Sequence, residues 1–141
     1  MVGKNWGKPI EAAGDSVGEL GYLQAQQFRA CRLVVDTGLH ANKWTRDQVV
    51  QFFHDHSAID EVDVQSETDR YIVWPGQALG YKIGELKIKE LRARAAGALG
   101  PAFEVRAFHD RVLGGGALPL DVLEARIDAW IAEQKTAMIS A

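Results

Sequence analysis

Hydrophobic residues recur every three or four positions along most of the chain, which is the spacing of one face of an α-helix. The first run opens at Ser16-Val17-Gly18-Glu19, a capping-box pattern, and the periodicity predicts a long helix that ends near Gly38. A second capping box, Thr45-Arg46-Asp47-Gln48, opens the next helix. The sequence therefore predicts two amphipathic helices in its first 60 residues.

The same periodicity, together with Pro and Gly residues that end helices, predicts four more helices. A polar run over 60–70 leads into a third helix stopped by Pro75-Gly76, and a fourth runs from about Gln77 to Ala98. A fifth spans roughly Glu104 to Leu113, and a sixth follows Pro119. Because no segment alternates as a strand would, the sequence predicts an all-α fold with about six helices in a bundle or orthogonal array.

The apolar positions of these helices form the predicted core. Cys31 lies within an apolar stretch and, as a lone cysteine, is interpreted as a small buried hydrophobe in a reducing compartment. The other inward positions are Leu20, Leu23, Phe28, Val34, Val35, Val49, Val50, Phe52, Phe53, Ala78, Leu79, Ile83, Leu86, Leu91, Val122, Leu123, Ile127, Trp130 and Ile131.

The length of the chain predicts its domain organisation, and its composition argues against some classes of partner. The 141 residues suit one domain, so we expect a flexible lead-in over 1–14 and a single helical domain over 15–141. The net charge is −3 with dispersed basic residues, which argues against nucleic acid or an anionic membrane as partner. No apolar run reaches the roughly 20 residues of a membrane span. No signal peptide is recognisable, so a cytoplasmic location is expected, with export of full-length relatives left open.

The sequence contains no complete catalytic or metal-binding motif. HExxH, CxxC and GxSxG are absent, and the Gly114-Gly115-Gly116 run lacks the Lys-Ser/Thr of a phosphate loop. His54 and His56 are two residues apart, about 200° on a helix, and are poorly placed to share an ion. We therefore expect no metal and no cofactor bound by this chain alone.

Two groups of residues are less ordinary. Arg29, Arg32, Asp36 and His40 fall within an arc of roughly 80° on the first helix. They are either a solvated face with an Arg32–Asp36 pair or, given the apolar Leu33-Val34-Val35, part of a buried site.

The second group lies in 71–84, where Gln77 and Tyr81 are one helical turn apart. Gly80 and Gly84 cost about 1 kcal/mol each in a helix interior. Either close helix packing or an approaching ligand would account for them.

These segments resemble the C-terminal part of a bacterial family, the domain-of-unknown-function 885 family. The matching segments are RACRLVVDTGLH at 29–40, WT at 44–45, RY at 70–71, WPGQAL at 74–79, YKIG at 81–84, FHD at 108–110 with Leu113, and GALPL at 116–120. The resemblance covers about Gly21 to Trp130. Members are helical, zinc-peptidase-like proteins that are distantly similar to thimet oligopeptidase and angiotensin-converting enzyme.

The resemblance implies a site but only part of an enzyme. In the family, the zinc-binding HExxPGH motif and the following glutamate ligand lie upstream, and this sequence has neither. The residues implied to support substrate or oxyanion are His40, Tyr71, Gln77 and Tyr81, with Arg32 and Asp36 as positioning groups. Which tyrosine would face a metal is left open.

Three functions are compatible with this sequence. The first is the substrate or oxyanion side of a zinc-dependent peptidase-like protein, inactive alone, with zinc held only in the full-length family. The second is a non-catalytic module that binds a peptide or a protein, and the third is an unrelated helical scaffold. The expected partner is a second copy in a homodimer or a separately encoded N-terminal part.

Overall fold

The computed structural model describes residues 16–139, all of which belong to helices or their connections. The helices are α1 (Ser16–His40), α2 (Arg46–His56), α3 (Glu61–Val73), α4 (Leu79–Leu99), α5 (Val105–Leu113) and α6 (Leu120–Ile139), with a 3-10 turn at Gly100–Ala102 between α4 and α5. Within these residues there is no β-strand, so the all-α prediction is confirmed. The predicted lead-in over 1–14 lies outside the described residues.

The caps of α2 and α3 follow directly from local sequence. Thr45 accepts a hydrogen bond from the Gln48 amide at 3.3 Å, and Gln48 Oε1 accepts one from the Thr45 amide at 2.8 Å. Asp60 accepts from the Asp63 amide at 2.9 Å and caps α3 in the same way. Both helices therefore begin where side chains satisfy free amide groups.

Gly38 lies near the end of α1, as predicted, and it contacts the segment that follows the helix. α1 continues for two residues past it, so this glycine is not the helix C-cap. It is buried, and a Cβ at this position would lie 2.5 Å from the indole ring of Trp44. The Trp44 amide also donates to the Gly38 carbonyl at 2.9 Å. The glycine thus lets the chain after α1 fold tightly back against the helix.

The chain divides into two compact units, with the division inside α4 between Ile83 and Gly84. In the N-terminal unit (residues 16–83), α1, α2 and α3 pack together. Its buried core consists of Cys31, Val35, Val49, Phe53, Val64, Tyr71 and Ala78. Burial is the main cause of a raised pKa for the Cys31 thiol, as expected of a cysteine that packs as a small hydrophobe.

In the C-terminal unit (residues 84–139), α5 and α6 pack against each other, and side chains of α4 share their core. The buried residues are Leu91, Ala95, Leu99, Phe108, Val112, Leu123, Ile127, Trp130 and Ile131. The predicted inner face of α6 is confirmed at four of these positions.

Several predicted core positions are exposed instead. They are Leu20, Leu23, Val34, Ile83, Leu86 and Val122. Periodicity identifies the apolar stripe of a helix, but a stripe is buried only along the length where another element covers it. None of the helices within 16–139 is long and apolar enough to cross a membrane.

Candidate functional site

The N-terminal unit contains a connected group of polar side chains on α1, α3 and the start of α4. We call it the arginine–tyrosine cluster, and its members are Arg32, Glu67, Arg70, Tyr71, Gln77 and Tyr81. Glu67, Arg70 and Tyr71 are spaced by three and four residues on α3, so they share one face of that helix. Arg32 reaches this face from α1.

Glu67 is the centre of the cluster because both arginines donate to it. Arg32 Nη2 lies 2.9 Å from Glu67 Oε2, and Arg70 binds with Nε at 3.1 Å and Nη2 at 2.6 Å. Tyr71 donates a further, short hydrogen bond to the same carboxylate. Burial alone would raise the pKa of Glu67, but the bonds from Arg70 and Tyr71 and the two positive charges outweigh it and hold the pKa below its usual value.

Tyr71 is buried, with 1% of its surface exposed. Its hydroxyl donates to Glu67 and accepts from Arg32 Nε at 2.9 Å. Burial, and then the hydrogen bond to Glu67, raise the pKa of Tyr71 well above its usual value, so the hydroxyl keeps its proton. Because that proton is already donated to Glu67, Tyr71 fixes the two charges in place.

Arg32 does not form the predicted pair with Asp36. Its guanidinium instead lies over the rings of Phe28 at 4.4 Å and Tyr81 at 5.0 Å while it binds Glu67. The side chain is 13% exposed. Its partners Glu67 and Tyr71 are on another helix, and a spacing rule for residues of one helix could not identify them.

Asp36 has a separate task in the turn after α3. It is 2% exposed, and its two carboxylate oxygens accept from the Gly76 amide at 3.0 and 3.1 Å. Gly76 adopts a positive φ of 79°, a conformation that favours glycine. Asp36 therefore stabilises the Pro75–Gly76 turn, and this turn fixes the position of Gln77.

Gln77 and Tyr81 form the open side of the cluster. Gln77 Oε1 accepts from Arg70 Nη1 at 2.5 Å, and Gln77 Nε2 donates to the Tyr81 hydroxyl at 3.4 Å. Gln77 is exposed, and Tyr81 is 49% exposed. A Cβ at Gly80 or Gly84 would meet nothing within 4 Å, so close packing inside the described chain does not account for these glycines.

His40 lies beside the cluster and hydrogen-bonds to its backbone. Its Nε2 lies 2.9 Å from the carbonyl oxygen of Tyr71. A carbonyl oxygen can only accept, so Nε2 donates, and the neutral ring keeps Nδ1 as an acceptor. Of the six residues implied by the resemblance, four belong to the cluster, while His40 and Asp36 act on backbone groups of 71 and 76.

Sequence reasoning missed Glu67, and it quoted Arg70 without giving it a role. The signal was available, because Glu67 precedes Arg70 by three residues and Tyr71 by four, the spacing of helix neighbours. It was hidden within a polar run that reads as a solvated surface. Only the position of Arg32 opposite this run turns it into a cluster.

The described residues do not fit a zinc ion of the kind that the resemblance implies for the full-length family. Within residues 16–139, no group of three His, Cys, Asp or Glu side chains could hold a metal ion. His54 binds Glu61 at 2.7 Å, and His56 stacks on Phe52 at 4.1 Å between ring centroids. The arginine–tyrosine cluster offers mainly hydrogen-bond donors, which suit an anion rather than a cation.

Comparison with known proteins places the chain in a family. Among curated proteins, none matches it. A crystal structure described as that of "the putative lipoprotein from Colwellia psychrerythraea" is similar with 49% identity and a TM-score of 0.83. The similarity covers 86% of this chain but 21% of that one, so the chain spans about a fifth of the length of that relative. The family model "Bacterial protein of unknown function (DUF885)" matches residues 7–127, and the chain therefore belongs to this bacterial family.

Proposed function

We propose that this chain is the substrate-facing portion of a larger zinc-peptidase-like protein and is inactive alone. The observation that carries the proposal is the arginine–tyrosine cluster, a half-buried charged group that is open at Gln77 and Tyr81. Charges in such surroundings are costly compared with apolar packing, so stability alone is a weak reason to keep them. Their preorganised donors are better explained by a ligand.

The roles follow from which hydrogen atoms are already used. The Tyr71 hydroxyl donates its hydrogen bond to Glu67, so Tyr71 is a positioning residue. Tyr81 accepts from Gln77, which leaves its own hydroxyl proton available to a substrate oxygen that gains negative charge. The resemblance assigns activation of the attacking water to the upstream HExxPGH portion. That portion would belong to the same longer protein or to a separately encoded chain.

A chimera tests this division of labour. This chain replaces the matching segment of the Colwellia psychrerythraea relative, and hydrolysis of a fluorogenic peptide library is measured with zinc present. We expect hydrolysis by the intact relative and by the chimera and none by this chain alone. Tyr81→Phe in the chimera should lower kcat, whereas the matched control Tyr22→Phe should not. Hydrolysis by the isolated chain, or inactivity of both longer proteins, would refute the proposal.

A non-catalytic peptide- or protein-binding module is the second candidate. It is favoured by the exposed apolar side chains next to the cluster, at Ile72, Val73 and Trp74.

The same surface could be covered by a second copy in a symmetric dimer. Light scattering should then give about 31 kDa, twice the 15.5 kDa of one chain. A monomer that binds no hydrophobic dye would contradict the dimer.

The cytoplasmic location expected from the sequence stays a prediction. The relative from Colwellia psychrerythraea is described as a lipoprotein, which favours export of proteins of that kind. Fractionation of the producing cells, with the chain detected by antibody, distinguishes the two locations.

A further inference from the structure

The first turns of α1 present exposed apolar side chains in line with the core of the N-terminal unit. Val17 is 79% exposed and Leu20 is 56% exposed. With about 3.6 residues per turn, both fall within an arc of roughly 60° that also contains the buried Cys31 and Val35. Leu23, 54% exposed, borders this arc. We call Val17, Leu20 and Leu23 the α1 stripe, and it continues the buried face of the helix as apolar surface.

The cover that α2 and α3 give to α1 ends near Gln27. The Gln27 side-chain amide donates to the His56 carbonyl, the last of α2, at 2.6 Å, and the chain turns towards α3 directly afterwards. On another side of α1, Lys82 donates to Gln26 at 2.8 Å. Gln26 lies roughly 120° around the helix from Leu20, so this contact does not cover the α1 stripe.

The composition of these first turns is typical of a helix end that another element covers. Gly18 and Gly21 lie among them, and glycine is a poor helix former. A Cβ at Gly21 would meet nothing within 4 Å in the described part of the chain. Since most helical stability in proteins comes from the packing of an apolar face, a glycine-containing end with an uncovered stripe lacks its main source of stability.

The size of the α1 stripe argues against a second copy of this chain as its cover. A stable contact between two proteins uses about 20 residues and about 800 Å² on each side. Three exposed side chains are far fewer than a two-fold contact through this stripe would need. The longer relative offers a larger cover, because the match accounts for 21% of that chain and leaves about four fifths of it outside.

We infer that an apolar helix face from the upstream portion of the longer family protein packs on the α1 stripe. This choice of occupant rests on the proposed role of the chain as one portion of such a protein. The stripe residues recur every third position and carry no charge, so they suit the apolar side of one crossing helix. Because Arg32 lies on the same helix, this contact holds the arginine–tyrosine cluster in a fixed place relative to the upstream portion.

Thiol labelling tests whether the stripe becomes covered. Leu20→Cys is made in the isolated chain and in the chimera, and its modification by a maleimide is followed by mass spectrometry of the labelled peptide. We expect fast labelling in the isolated chain and labelling slower by about tenfold or more in the chimera. The control Val62→Cys, at a position of α3 that is 77% exposed, should react fast in both. The buried Cys31 should stay slow wherever the unit is folded.

A charge at the same position provides a second measurement. Leu20→Glu should leave the thermal midpoint of the isolated chain nearly unchanged, because its side chain is exposed there. In the chimera it should lower the midpoint by at least about 2 °C, since a carboxylate would be buried against apolar side chains. The matched Val62→Glu should change neither midpoint. An effect of Leu20→Glu in the isolated chain as large as in the chimera would contradict the inference.

The outcomes separate this contact from the proposed activity. Equally fast labelling of position 20 in both proteins overturns the inference, and so does equal slowing at positions 20 and 62. Slow labelling in the isolated chain overturns it too, and light scattering then shows whether a second copy is the cover. Where the chimera does not fold, cysteine at the aligned position of the intact relative gives the same comparison. A protected position 20 in an inactive chimera supports the contact and refutes the activity alone.

Discussion

Glu67 in the N-terminal unit and Glu124 in the C-terminal unit each bind two cations. Glu67 accepts from Arg32 and Arg70, while Glu124 accepts from Lys87 at 2.9 Å and Arg94 at 2.5 Å. The two carboxylates are similarly exposed, at 22% and 30%. In composition and exposure alone the two sites look alike.

Their surroundings differ. Burial is the leading influence on the pKa of Glu67, whereas hydrogen bonds from Lys87 and then Arg94 lead for Glu124. Glu67 also receives the hydroxyl of the buried Tyr71, and Arg32 lies over aromatic rings. The charges around Glu124 instead link the outer sides of α4 and α6, and Arg94 also binds Glu90 and Asp128.

The cores of the two units show the same contrast. Within the described residues, the buried polar side chains, Asp36 and Thr68, both lie in the N-terminal unit. The C-terminal core is built from apolar residues and Trp130. Buried polar groups that are fully hydrogen-bonded are common at functional sites. We therefore expect the function to reside in the N-terminal unit.

The largest effect should come from removing the central carboxylate. Glu67→Ala leaves Arg32 and Arg70 partly buried without a counter-charge and should lower the free energy of unfolding by about 2–4 kcal/mol. Urea denaturation followed by circular dichroism measures it. The matched Glu124→Ala should shift the midpoint much less, because water can solvate its partners. Equal shifts would mean that the two clusters are equivalent.

A second contrast concerns glycines in helices. Gly38→Ala places a methyl group against Trp44 and should destabilise the chain by about 1–3 kcal/mol. Gly97→Ala, where a Cβ meets nothing within 4 Å, should instead stabilise by about 0.5–1 kcal/mol through helix propensity. Thermal unfolding of both variants shows whether each substitution lowers or raises the stability of the chain. A stable Gly38→Ala protein would show that Trp44 moves aside easily.

The third effect depends on pH. The folded pKa of Glu67 is lowered, so its ionised form contributes stability above the unfolded pKa of about 4.3 and loses it as pH falls through the folded pKa. Glu67→Gln should therefore be less stable than the wild-type chain at neutral pH, by about 1–2 kcal/mol. The difference should shrink below pH ~4. A difference that is constant between neutral and acid pH would rule out the charge as its cause.

The smallest effect separates stability from binding. Tyr71→Phe removes the buried hydroxyl between Arg32 and Glu67 and should cost about 1 kcal/mol. Tyr81→Phe removes an exposed hydroxyl and should leave the unfolding midpoint nearly unchanged. If Tyr81→Phe were the more destabilising change, the assignment of Tyr71 as the positioning residue would be wrong.

Much of the secondary structure could be predicted because its signals are local. Thr45 with Gln48, Asp60, and Pro75-Gly76 act on backbone groups within a few residues, so α2 and α3 begin and end where their own sequence requires. All six helices were predicted, but α3 begins at Glu61, inside the polar run that was expected only to lead into it. The family, too, was recognisable from short segments, and the match over 7–127 confirms it.

Tertiary structure decided which of several available contacts each residue makes. The spacing of Arg32 and Asp36 allowed a pair on one helix, but α3 brings Glu67 to Arg32, and the turn at Gly76 takes Asp36. Likewise, sequence named Tyr71 and Tyr81 as equivalent candidates, whereas packing buries one hydroxyl against Glu67 and leaves the other open. The amino-acid sequence by itself determined the helices, because caps and periodicity act over a few residues. The partners of Arg32 and Asp36 lie 35 and 40 positions away in the sequence, and the packing of α1 against α3 brings them together.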